Sequence, residues 1–172
     1  MKNKAVETVK QHPKRAGAAL IIALAAPIIM SWEGKRNDPY YDIVKVLTVC
    51  YGHTGKDIEK RRYSDAECKA MLQADMEDHL APITRCVPVL AYRPYEGAAA
   101  LSLSYNIGVN AFCRSTAARR FNYGDFTGGC TAMTWFNKAG GKVVRGLVNR
   151  RADERRLCMM GTLEDQLGWE GD

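Results

Sequence analysis

No cysteine occurs in the first 49 residues, and no C-x-x-C pair occurs anywhere in the chain. The absence of paired spacing disfavours a zinc ribbon or a thioredoxin-like redox site. Cys50-Tyr51-Gly52-His53 is the one spacing that suggests a metal, and no second ligand pair accompanies it. No metal or cofactor is expected. Charge of one sign is also scarce over most of the chain. Of the formal +6, net +4 lies in residues 1–15, where Lys2, Lys4, Lys10, Lys14 and Arg15 face only Glu7. The small remainder, with no RNA- or DNA-binding motif, argues against a nucleic-acid partner. Internal repeats and low-complexity tracts are absent too, which excludes solenoid and fibrous architectures.

One apolar run is present, and it is short. Ala16 to Met30 (AGAALIIALAAPIIM) is 15 residues without a charge, below the roughly 20 that span a bilayer comfortably. A basic flank followed by such a stretch is the order of an export signal. The run is rich in Ala and Gly, so its hold on hydrocarbon is weak. Ala23-Leu24-Ala25 offers a small-residue cleavage site, although Pro27 and a further apolar patch follow closely. Residues 1–31 therefore read as a basic leader and weakly apolar signal-anchor segment, and 32–172 as one folded domain. Within that domain Cys50, Cys68, Cys86, Cys113, Cys130 and Cys158 form an even set. After export they allow up to three disulfides, with 15 possible connectivities.

Beyond the run, Lys45–Tyr51 is rich in β-branched and aromatic residues, and Asn37-Asp38-Pro39 is a turn signal before it. Ser64-Asp65-Ala66-Glu67 is a capping box and predicts a helix to about Leu80, stopped by Pro82. Pro94 opens a second helix, ending near Gly108. Further helices are expected over 115–122, 125–137 and 147–160, with Gly140-Gly141 as a break. A small β-hairpin lobe followed by a mainly helical lobe is an α+β fold.

Cleaving a glycosidic bond needs a proton for the leaving oxygen and a second carboxylate near the sugar ring. Glu33 follows Trp32 and the apolar run, at the end of an expected helix. Asp42 comes just before the strand region, and Thr48 lies within it, where its hydroxyl can hold a water. Singly, each has an ordinary explanation: a solvated helix-end charge, a turn cap, a strand-forming threonine.

Together they match a known spacing. Glu33, eight residues, Asp42, five residues and Thr48 resemble the active-site pattern of the phage-type lysozymes, glycoside hydrolase family 24. Val49–Gly55, Ser104-Tyr105-Asn106-Ile107-Gly108, Trp135-Phe136-Asn137 with Gly140-Gly141-Lys142, and Arg145–Arg151 are similar to later family motifs, in order, over about residues 31–160. The resemblance implies a lysozyme-like fold and hydrolysis of the bond between N-acetylmuramic acid and N-acetylglucosamine in peptidoglycan, acting as a monomer on glycan strands. It assigns the general acid to Glu33, water and transition-state handling to Asp42 and Thr48, and glycan contact to Tyr105 and Asn106. The arginines of 145–156 read as a helix face bridged to Asp153 and Glu154.

The leader resembles that of the signal-anchor-release endolysins of lambdoid phages. That implies export, tethering to the inner membrane on its periplasmic side through residues 16–30, and later release. Residues from about 18 to 32 would then refold as the helix bearing Glu33. No cysteine lies in the anchor, so refolding is expected without disulfide exchange. A lytic transglycosylase, a non-catalytic wall-binding protein on the same fold, and a secreted lysozyme with a cleaved leader remain alternatives on sequence alone.

Overall fold

A computed structural model describes residues 4–42 and 44–166, with side chains from residue 17 to residue 165. The charged side chains of the leader lie outside the described residues. Helix α1 (Lys4–Glu33) is followed by strands β1 (Arg36–Tyr41), β2 (Leu47–Cys50) and β3 (His53–Thr54). Then come α2 (Asp65–Cys86), a 3-10 turn (Pro88–Tyr92), α3 (Pro94–Ile107), α4 (Val109–Cys113), α5 (Thr116–Asn122) and α6 (Phe126–Met133). A two-stranded ribbon, β4 (Lys138–Ala139) and β5 (Lys142–Val143), leads into α7 (Arg145–Gln166). The fold is α+β, a small antiparallel sheet beside a mainly helical body.

The apolar run is helical and packs into the protein. Ile21, Ile22, Ala25 and Ile29 are buried, while Ala23, Pro27 and Ser31 are exposed. An uncharged sequence thus has a solvent face of alanine, proline, serine and one leucine, Leu20, rather than of charged residues. Pro27 interrupts α1 at no cost to the core, because the carbonyl it frees belongs to exposed Ala23 and can be hydrated. The partner is α3, which is wrapped by α1, α2 and α7. Ala98, Ala99, Ala100, Leu101 and Leu103 are fully buried there, as an all-round apolar helix requires. A Cβ on Gly97 would lie 2.9 Å from both the Ile21 Cδ1 and the Leu90 carbonyl. Glycine at 97 is what lets α1 and α3 approach.

The predicted capping box forms: Ser64 Oγ accepts from the Glu67 N–H, and Glu67 accepts from the Ser64 N–H. Helix α2 does not stop before Pro82, however, but continues to Cys86. The carbonyl that Pro82 leaves unpaired belongs to Asp78, on the exposed face, so the break expected there is only a local loss of one bond. α6 is shorter than expected and α7 longer. The short α4 and the 3-10 turn had no periodic signal to announce them.

The cysteines pair in chain order, Cys50–Cys68, Cys86–Cys113 and Cys130–Cys158. They tie β2 to α2, the end of α2 to α4, and α6 to α7. Cys50 is thereby spent in a disulfide and offers no thiolate for a metal.

Candidate active site

Glu33 is the last residue of α1, and its carboxylate is held from two sides. Arg150 Nη1, from α7, donates to Glu33 Oε1 at 2.6 Å. From the β2–β3 turn, Gly52 (φ +83°) comes so near that a Cβ there would lie 3.6 Å from Glu33 Oε2. The Glu33 side chain is 22% exposed and that of Arg150 only 5%. The carboxylate is thus partly covered, with the rest of its surface open to solvent.

Arg150 is anchored in turn. Its Nε donates to Glu154 Oε1 at 3.1 Å and its Nη2 to the Ser102 carbonyl at 3.2 Å. Ser102 Oγ and Arg151 Nη2 donate to the same Glu154 oxygen, each at 2.8 Å. Burial pushes the Glu154 carboxyl up from the usual carboxylate range, with Arg151, Ser102 and Arg150 pulling the other way. Burial likewise lowers the Arg151 guanidinium. The expected bridges of the α7 arginines form to both acids: Arg156 pairs with Asp153 at 3.1 Å in an exposed pair, and Arg150 and Arg151 pair with Glu154. Arg150, Arg151 and Glu154 are moreover buried, which the sequence did not announce. Sequence periodicity could not separate the two sets, because the long apolar stems of arginine pack like core residues while the heads need partners.

Thr48 lies on the middle strand of the sheet and is 4% exposed. The register pairs it with Tyr40 on β1 and Thr54 on β3, so these side chains share one face. Thr48 Oγ1 donates its proton to the Val46 carbonyl at 3.1 Å. Its remaining lone pairs can only accept. Asp42 follows β1 and closes the loop into β2: Oδ1 accepts from the Val44 and Val46 N–H groups at 2.9 and 2.8 Å. That fixes the carboxylate while Oδ2 accepts no hydrogen bond among the described residues.

Tyr105 occupies a different position from a free surface ligand. Its hydroxyl donates to the Tyr51 carbonyl at 3.1 Å and lies 3.4 Å from Asp75 Oδ2, and its ring packs against His79, tilted by 35° with centroids 5.1 Å apart. Burial, then the charges of Asp75 and Glu33, push the phenol well above its usual range, so it stays neutral. Asn106 beside it is exposed. Asp75 also receives His53, whose Nδ1 is 2.9 Å from both carboxylate oxygens. The His53–Asp75–Tyr105 cluster joins the sheet to α2 and α3. Nothing in the sequence pointed to it, since its members come from three elements.

A family model described as phage lysozyme matches residues 30–154. The chain is 44% identical over 130 residues to a SAR-endolysin of Bacteriophage PS119, covering 75% of this chain and 77% of that protein. It is 47% identical over 127 residues to a SAR-endolysin of Escherichia phage Mu, covering 74% of each. Among solved structures, the muramidase domain of SpmX from Asticaccaulis excentricus superposes with a TM-score of 0.68 at 28% identity, over 84% of this chain and 95% of that one. The matched span runs from the end of α1 through the sheet to the buried arginines of α7, which is the stretch that builds the site around Glu33, and the chain belongs to the phage lysozyme family.

Proposed function

We propose that Glu33 is the general acid of a muramidase, with Asp42 and Thr48 handling the water and the developing positive charge. The chain is a glycoside hydrolase of the lysozyme class, an endolysin acting on peptidoglycan. One observation carries the assignment of roles. Glu33, fixed by Arg150, lies against Gly52 at the end of the sheet, and the same sheet carries Thr48 on β2 and Asp42 in the loop between β1 and β2, both with an oxygen free to accept. A threonine that has given its proton to Val46 orients water as an acceptor, and a carboxylate held only through Oδ1 can act through Oδ2. Asn106, which is exposed, touches the glycan, while Tyr105 is half-buried and held by the Tyr51 carbonyl and Asp75.

The leader reading extends this. Residues 1–31 form the tethering unit and 32–172 the catalytic unit of an exported, membrane-held form on the periplasmic side of the inner membrane. No helix among the described residues is long and apolar enough to cross a membrane. After release, the same residues supply Ile21, Ile22, Ala25 and Ile29 to the core. Cleavage near Ala25 would remove most of that face, so retention of the segment is the reading the packing supports. The activity needs glycan strands alone, without a second copy, a metal, a cofactor or nucleic acid.

The test compares the whole chain with Glu33→Gln on purified peptidoglycan and reads product ends by mass spectrometry. Reducing muramic acid ends that vanish in the variant are expected. Anhydro ends would mark a transglycosylase and overturn the hydrolytic reading.

A further inference from the structure

The Glu33–Arg150 contact is only the outer half of a longer chain of contacts. Behind Arg150 stands Glu154, fully buried, one turn further along α7. All three donors that reach it choose the same oxygen: Arg150 Nε, Arg151 Nη2 and Ser102 Oγ converge on Oε1, and Oε2 has no partner among the described residues. Arg150 is consequently gripped on two sides, through Nε by Glu154 and through Nη2 by the Ser102 carbonyl, while Nη1 is left for Glu33. A guanidinium is a rigid planar fork. Fixing two of its nitrogens fixes where the third points.

We infer that Glu154 is a positioning residue for catalysis, setting through Arg150 the place at which Glu33 is held. The inference rests on the reading of Glu33 as the acid. Every member of the seat, Ser102, Arg150, Arg151 and Glu154, belongs to α3 or α7. It needs nothing from α1, so it can form before α1 docks and receive Glu33 when the helix arrives. The position of the Glu154 oxygen, rather than its presence in the core, is what the reaction depends on, because a general acid misplaced by about an ångström loses orders of magnitude in rate.

Two variants separate reach from charge. Glu154→Gln keeps the side-chain length and a carbonyl oxygen where Oε1 stands, and its other end replaces an oxygen that has no partner. Glu154→Asp keeps the charge and draws the acceptor back by one methylene. On soluble, uncrosslinked glycan strands, Glu154→Asp is expected to lower kcat about 10-fold with KM unchanged, while Glu154→Gln loses only about threefold, as a neutral bond replaces a charge-assisted one. Wild-type kcat in both, with only the melting temperature lowered, would overturn the proposal and leave Glu154 a core residue. A Gln variant worse than the Asp variant would also overturn it, in favour of charge. If Glu154→Asp does not fold, Arg150→Lys reads the seat from its other side. A lysine amine cannot hold Glu33, Glu154 and Ser102 together, so kcat must fall with KM unmoved; an unchanged kcat sinks the idea. Inactive wild type would fail the muramidase reading itself, whereas active wild type with a dead Glu33→Gln and normal Glu154 variants would fail this inference alone.

Discussion

Thr48 illustrates how differently a residue reads alone and in place. In the sequence it is a β-branched residue in a strand, unremarkable except for its distance from Glu33 and Asp42. In the fold its hydroxyl proton is committed to Val46 and its lone pairs are what remain. Thr48→Val keeps the shape and removes only the oxygen. Burial of a methyl in its place, and loss of one neutral hydrogen bond, changes stability by about 1 kcal/mol. The expected result is a melting temperature close to wild type with kcat lowered at least about 10-fold, as removal of a group acting on the transition state requires. Undiminished turnover on peptidoglycan would remove Thr48 from the mechanism. The spacing of Glu33, Asp42 and Thr48 was legible because all three come from one short stretch at the lobe boundary. Arg150 was not, because it meets Glu33 across 117 residues of sequence, and only the crossing of α1 and α7 creates that proximity.

Among the elements, α1 was readable as apolar and α2 as capped, but what each does next depends on neighbours. The run from Ala16 to Met30 reads as a membrane segment when its solvent face is sought among charges. It reads as a core helix once α3 is beside it. Gly97 decides between the two outcomes: Gly97→Val places branched carbon where the Ile21 side chain and the Leu90 carbonyl stand 2.9 Å from an added Cβ. Overpacking of this kind costs about 1–3 kcal/mol, and the cost falls on the α1–α3 contact. The variant is expected to lower the melting temperature and to leave less enzyme active after export, measured as lytic activity per unit of periplasmic protein; wild-type values for both would mean that α1 docks elsewhere.

Helix α2 supplies a pH dependence of its own. The Arg61 side chain, then the Ser64 N–H and hydroxyl, hold Glu67 down to about 2, from 4.5. A carboxyl depressed in the folded state contributes stability that is fully present above its unfolded value and is lost as pH falls through the folded one. Glu67→Gln removes that dependence. The melting temperature of the variant should therefore fall less than that of wild type between pH 4.5 and 2, and parallel curves over that window would show that the capping box carries no such linkage. The capping sequence announced this helix start, whereas Arg61, in the preceding loop, became its partner only through the bend at Lys60 and Arg61.

At the scale of the molecule, the disulfides and the anchor meet in one argument. Six cysteines were countable, but their pairing was not, since spacing alone leaves every connectivity open. The fold resolves it by bringing chain-neighbouring cysteines together, each bridge closing one loop onto α2 or α7. None of the three bridges involves a residue of α1, so the body against which the Glu33 helix packs is tied without it. Loops of 27 and 28 residues are long enough for each bridge to contribute about 3.5 kcal/mol by restricting the unfolded chain. The Cys86–Cys113 bridge is the one to remove, because it links the end of α2 to α4 and involves no side chain of the Glu33 seat. Replacing both cysteines by alanine should lower the melting temperature by roughly 10 °C for a chain of this size, while kcat at low temperature stays within about twofold of wild type. If turnover falls together with stability, the bridge shapes the site as well as the fold. If neither changes, the helical lobe is held by its core alone, and export is not needed to complete this part of the enzyme.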